Sequence, residues 1–199
     1  TQKDEGKVNK SWTQISIAGN HVAAIDKQTK GVYHAIITTT NATTTDLNNL
    51  TYTNTITDDS PCQEFTKVSI NKEGNIWGLC SKNADGSGKS TYGYLIYKYT
   101  STNKTWEKID GQLIDISSAY YNEEEYVWGV NSYSTKRIWY KKGTWNSEFW
   151  KNKSWENKSS ELTLLSVNNK GKVFGINKNN EVWNTPILTH NRLIDIEKD

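Results

Sequence analysis

Short stretches that alternate apolar and polar residues, each closed by a polar turn, recur along this 199-residue chain. The clearest is YVWGVNSY at 126–133, where apolar and aromatic residues surround a glycine and the run ends on an asparagine. Close copies stand at 76–80 (IWGLC) and 173–177 (VFGIN), and a weaker one at 22–26 (VAAID) puts Ala23 and Ala24 in the aromatic and glycine slots. Upstream of each lies a second element: QISI (14–17), KVSI (67–70), DISS (115–118) and LLSV (164–167). Anchored on the first serine of each, Ser16, Ser69, Ser117 and Ser166 are 53, 48 and 49 residues apart. Four residues before each anchor stands a large apolar side chain: Trp12, Phe65, Leu113 and Leu162. A third element pairs an aliphatic with an aromatic residue: Val32-Tyr33, Ile96-Tyr97, Ile138-Trp139 and Val182-Trp183.

These segments are rich in Val, Ile, Tyr and Trp, as half-buried strands are. Turn chemistry separates them, in NKEGN (71–75), NADGSGKS (83–90) and NNKGK (168–172). No stretch shows a helical period of 3.6. Trp106 and Trp155 each precede an anchor serine by eleven residues, which marks a fourth segment before two of the units. A repeat of roughly 50 residues with up to four strands is the signature of a propeller blade. A blade with two apolar faces must be covered by neighbours, so the expected fold class is all-β: one small β-propeller of four blades, each of about four antiparallel strands. The units are expected at about 12–60, 62–105, 106–150 and 155–199 of a single domain. The terminal RLIDIEKD echoes QLIDISSA at 112–119 and reads as a stray first strand or one that closes the ring, so the chain ends are expected to meet in one blade.

The order W-x-x-I-x-G, I-S, V-W-G-V-N, I-Y, fullest in TWEKIDGQLIDISSAYYNEEEYVWGVNSYSTKRIWYKK, resembles the tectonin repeat. That family includes tachylectin-type horseshoe-crab lectins and fish-egg lectins. The resemblance is good in the fourth unit, fair in the second and poor in the first; typical members carry more blades. It implies a propeller lectin that recognises glycans, often on microbial or other foreign surfaces, at several equivalent sites.

Composition supports binding more than chemistry. Nine Trp and eleven Tyr stand beside three Phe; their rings pack while their polar tips hydrogen-bond. A net charge of +2 with no basic block argues against a nucleic-acid partner, and no apolar run is long enough for a membrane span. His21, His34 and His190 have no metal-ligand spacing, no catalytic motif is present, and neither cofactor nor enzymatic activity is expected. The acidic run at 123–125 reads as a solvated hairpin turn, and DGSG at 85–88 as a polar loop. Cys62 and Cys80 form either a disulfide or two buried thiols. Six N-x-S/T sequons, at Asn9, Asn41, Asn49, Asn103, Asn152 and Asn157, lean towards a secreted or extracellular protein, with a cytoplasmic one as the alternative.

The ligand-binding candidates are the repeated aromatics in grooves between blades. They are Trp77, Trp128 and Phe174 of the middle segment and Tyr97, Trp139 and Trp183 of the third, with Asn131 and Asn177 to bond sugar hydroxyls. The competing role for these tryptophans is core packing between blades. Gly78, Gly129 and Gly175 are expected to admit a close neighbour. Two rival functions remain: a protein-interaction propeller, and a propeller glycoside hydrolase needing clustered axial carboxylates. Assembly into a homo-oligomer is left open.

Overall fold

The computed structural model describes residues 11–38, 50–132, 137–143, 155–170, 172–184 and 197–198. Among them every regular element is a β-strand, and the strands form four antiparallel sheets in chain order, the blades of a β-propeller. Blade 1 holds β1 (Trp12–Ala18), β2 (His21–Asp26), β3 (Val32–Ile36) and β4 (Thr53–Asn54). Blade 2 holds β5 (Cys62–Ile70), β6 (Ile76–Asn83), β7 (Lys89–Ser90), β8 (Gly93–Thr100) and β9 (Thr105–Leu113). Blade 3 holds β10 (Asp115–Tyr121), β11 (Glu124–Val130), β12 (Arg137–Gly143) and β13 (Glu156–Glu161). Blade 4 holds β14 (Leu164–Val167), β15 (Val173–Ile176), β16 (Val182–Asn184) and β17 (Glu197–Lys198).

Two boundaries differ from the sequence expectation. The segments of Trp106 and of residues 156–161 pair with β8 and β12, so each ends the preceding blade instead of opening the next. At the chain end only residues 197–198 of RLIDIEKD are described; as β17 they pair with β16 as the outermost strand of blade 4, and the rest of that segment lies outside the described residues.

Strand register turns the linear repeat into a face code. The anchor serine lies opposite the aromatic slot in all four blades: Ser16 with Ala23, Ser69 with Trp77, Ser117 with Trp128 and Ser166 with Phe174. The glycine slot lies opposite the third-strand aromatic: Ala24 with Tyr33, Gly78 with Tyr97, Gly129 with Trp139 and Gly175 with Trp183. Opposed residues share a face and successive residues alternate. The serine and aromatic slots therefore point towards the next blade, and the glycine slot towards the preceding one. The glycines are needed because the large residue four before the anchor fills their space. A Cβ on Gly78 would lie 2.5 Å from Phe65, and one on Gly129 or Gly175 would lie 2.2 Å from Leu113 or Leu162.

One clasp repeats across the seams. Ser16 Oγ accepts a hydrogen bond from Ile70 N at 3.1 Å, Ser69 Oγ from Ser118 N at 2.8 Å, and Ser117 Oγ from Val167 N at 3.0 Å. In each case the donor follows the next blade's anchor by one residue. A second contact lies two residues before the anchor. Gln14 Oε1 accepts from Val68 N at 2.8 Å, and Asp115 Oδ2 from Leu165 N at 2.8 Å. Lys67, which has no acceptor, instead donates to Asp115 Oδ1. Around these bonds the apolar side chains of neighbouring blades merge into shared cores.

The seam between blades 2 and 3 also holds a charge network. Lys98 on β8 pairs with Glu125 on β11, both side chains fully buried. Glu125 Oε1 also accepts from Trp77 Nε1 at 2.9 Å and from Asn71 Nδ2 at 2.5 Å. Burial pushes the Lys98 ammonium down to about 8, against the opposing pull of Glu125. The expectation of a solvated acidic turn is thus corrected at Glu125: Asn122 and Glu123 form the turn, with φ of 48° and 61°, and Glu125 lies inside the seam. In blade 2 a disulfide joins Cys62 of β5 to Cys80 of β6, with Cα atoms 6.0 Å apart.

Three outcomes are expected in urea unfolding. Gly129→Ala should cost about 1–3 kcal/mol through overpacking, with sub-additive coupling to Leu113→Ala, because both changes act on one contact. Lys98→Met, which strands Glu125, should cost on the order of 3–5 kcal/mol. Lys82→Met should cost less than about 1 kcal/mol, because the Lys82–Glu64 pair, at 3.1 Å, is solvent-exposed.

Candidate inter-blade ligand groove

A groove of about 510 Å³ opens between the outer strands of blade 2 and the third strand of blade 3. That volume falls within the range of small-ligand sites. Leu95, Ile96 and Leu113 supply apolar surface; Tyr92, Trp139 and Trp155 supply aromatic surface; Lys108, Asp110, Gln112, Asn131 and Arg137 supply polar groups. Trp139 and Trp155 are half-buried and Tyr92 is exposed.

A local irregularity in β9 shapes this groove. Leu95 pairs with Gln112 while Ile96 pairs with Ile109, so Asp110 and Gly111 bulge out of the ladder. Gly111 adopts φ +116°, and a Cβ there would lie 3.0 Å from Trp155 Nε1, so the bulge requires glycine twice over. The displaced Asp110 carbonyl accepts from Trp155 Nε1 at 2.6 Å, which fixes the ring beside the bulge. Two further bonds fasten the blade 3 side to the β7–β8 turn: Ser132 N donates to Tyr92 O at 2.9 Å, and Ser132 Oγ to Thr91 O at 2.6 Å. The indole N–H of Trp139 is buried and makes no hydrogen bond among the described residues.

The sequence candidates separate by face. Trp77 and Trp128 point forward into the inter-blade cores and are fully buried, so they offer a ligand no surface. Phe174 holds the same slot in blade 4 but is exposed. Of the third-strand aromatics, Tyr97 is buried and donates to Asn83 Oδ1 at 3.1 Å, so its seam is filled. Trp139 lines the groove. Trp183 packs against the core between blades 3 and 4. Asn131 lines the groove beside Arg137. Asn177 caps a turn instead: its Oδ1 accepts from Asn179 N at 2.9 Å and Glu181 N at 3.0 Å. Trp139 and Asn131 are therefore the candidates the structure brings together. Sequence reading missed Trp155, Tyr92, Arg137 and the Asp110-Gly111 bulge; the one available signal was a Gly two residues before Leu113 in a segment otherwise patterned as a strand.

His21 and His34 lie side by side, Nδ1 to Nε2 at 3.0 Å, although thirteen residues apart in the chain. Burial, then the neighbouring His21, pushes the His34 imidazole down to about 4. His190 lies outside the described residues. Asp85 accepts from Ser87 Oγ at 2.6 Å within its exposed loop. Among the described residues no group of three or more His, Cys, Asp or Glu side chains could hold a metal ion.

The tectonin domain matches residues 4–194, so the chain belongs to the tectonin family. No curated protein matches it. Among solved structures, a luciferin-regenerating enzyme superposes with TM-score 0.53 at 8% identity, over 96% of this chain and 64% of that one. A chain from the complex of Kap60 with yeast RCC1 superposes with TM-score 0.51 at 10% identity, over 86% of this chain and 42% of that one. At such identities the likeness shows the propeller fold alone. The chain spans less than two thirds of the length of either structure.

Proposed function

We propose that this tectonin-family propeller is a lectin that binds glycans, without catalysis, in the groove between blades 2 and 3. The observation that carries the reading is the pairing of two half-buried indoles, Trp139 and Trp155, with Asn131, Gln112 and Arg137 in one groove. Sugar rings have apolar C–H faces that lie on aromatic rings, and hydroxyls that amides and guanidinium groups bond. Asp110 can accept hydroxyl protons, and Lys108 and Arg137 outnumber it, which suits a neutral or acidic sugar. Family membership supports the same class of ligand.

Microbial surface glycans are the proposed target, and an extracellular setting the proposed location. The Cys62–Cys80 disulfide supports an oxidising compartment. Asn103, in an N-K-T sequon, is exposed in the β8–β9 turn and accessible to glycosylation. Several copies of the groove on one particle would supply multivalency.

A glycan array that includes microbial polysaccharides and acidic sugars should give selective, sugar-competable binding. Trp139→Ala should then weaken the best ligand by up to roughly tenfold, because one aromatic stacking contact is worth about 0.5–1.5 kcal/mol, with a smaller loss of stability than a fully buried tryptophan would give, since its ring packs only partly on the core. Trp128→Ala should instead lower stability by about 3–5 kcal/mol, as a core truncation. A blank array with folded protein would replace the lectin reading with that of a protein-binding propeller.

A further inference from the structure

The three internal seams define an interface that the two ends of the structure leave in halves. In the forward face, Trp77 and Trp128 are 0% and 1% exposed, whereas Phe174 in the same slot of blade 4 is 39% exposed. Two residues on, Ile25, Leu79 and Val130 are buried, but Ile176 is not. In the third strand, Val32, Ile96 and Ile138 are 0% exposed, whereas Val182 is 52%. The opposite half is uncovered at the inner strand of blade 1. Val68 and Ile70 of the second inner strand pack into the seam at 1% and 2% exposure, whereas their equivalents Ile15 and Ile17 are 39% and 51% exposed. Leu50 and Tyr52 pack over the outer part of that side of blade 1, around Val22 and Ala35, so the open part is the inner strand β1.

The clasp is split in the same way. Ser166 of blade 4 is exposed and its hydroxyl makes no hydrogen bond among the described residues. The amide that would serve it belongs to Ile17, one residue after the blade 1 anchor. Each end thus carries one half of an interface formed three times within the chain. Among the described residues, the forward face of blade 4 and the inner strand of blade 1 do not bury each other.

We propose that a second copy of this chain covers these faces, head to tail. The forward face of blade 4 in one copy (Leu164, Phe174, Ile176 and Val182) receives β1 of the other, Ile15 and Ile17 fill the place that Val68 and Ile70 fill within the chain, and Ile17 N–H donates to Ser166 Oγ. Continuity selects the occupant: the internal seams show which side chains fit this face, and β1 of another copy presents Ile15 and Ile17 at their register. Such an interface is heterologous, and it closes into a ring if the rotation between copies permits.

Sedimentation velocity over a wide concentration range tests this on three forms of the 199-residue chain: unaltered, Ile17→Asp and Phe174→Asp. Both substitutions replace exposed side chains, so unchanged thermal melts should show that the fold is intact. The unaltered chain should self-associate reversibly, and each variant alone should associate at least tenfold more weakly. An equimolar mixture of the two variants should recover a heterodimer, since one keeps an intact blade 4 face and the other an intact β1. A monomer at every concentration overturns the proposal. So does loss of association in only one of the two variants, which would indicate a like-with-like contact. The outcome is independent of glycan binding, because neither residue lines the groove.

Discussion

Every blade here has two apolar faces, and neither can remain in water without cost; the structure depends on how each face is covered by its neighbour. The forward slot, Ala23, Trp77 or Trp128, enters the seam, and the inner strand of the next blade closes over it. The backward slot is a glycine in three blades because Phe65, Leu113 or Leu162 occupies the space where a side chain would begin. Serine clasps add about 0.5–1.5 kcal/mol each and fix the height at which one inner strand meets the next. Hydrophobic burial supplies most of the stability, whereas the clasps supply the register.

The groove follows from the same packing. Trp139 lies on the backward face of blade 3, opposite Gly129, and so reaches towards blade 2. Between blades 1 and 2 the equivalent Tyr97 is buried, with Asn83 accepting from its hydroxyl. Between blades 2 and 3, the bulge at Asp110-Gly111 turns a carbonyl towards Trp155 and leaves space in front of Trp139. The buried Lys98–Glu125 pair ties the same two blades together, holding the two sides of the groove in fixed relation. One blade motif thus produces a filled seam and an open one, according to what its outer strand does.

Much of this fold was legible in the sequence. The anchor spacing, the three recurring segments and the glycine slot all correspond to strand register in the structure. What each slot faces was not legible, because period two gives alternation without saying which side meets which blade. Trp128 and Trp139 looked equivalent as ligand candidates, yet the first points forward into a core and the second backward into the groove. Glu125 was indistinguishable from Glu123 in a run of three acids, because its partner Lys98 lies 27 residues away across a seam. Trp155 and Arg137 enter the groove through a bulge and a tertiary contact that no local pattern encodes. The first blade follows the repeat weakly and the last closely, and neither pattern marks an uncovered face, which is visible only in three dimensions.

Side-chain hydroxyls receive inner-strand amides across each internal seam, and this contact sets how one blade meets the next. Residue-resolved amide hydrogen exchange tests it most directly, at a dilution where the protein is monomeric. The account predicts strong protection at Ile70, Ser118 and Val167, and fast exchange at Ile17, the equivalent amide for which no side-chain acceptor exists among the described residues. Exchange at Ile70, Ser118 and Val167 as fast as at Ile17 would contradict it.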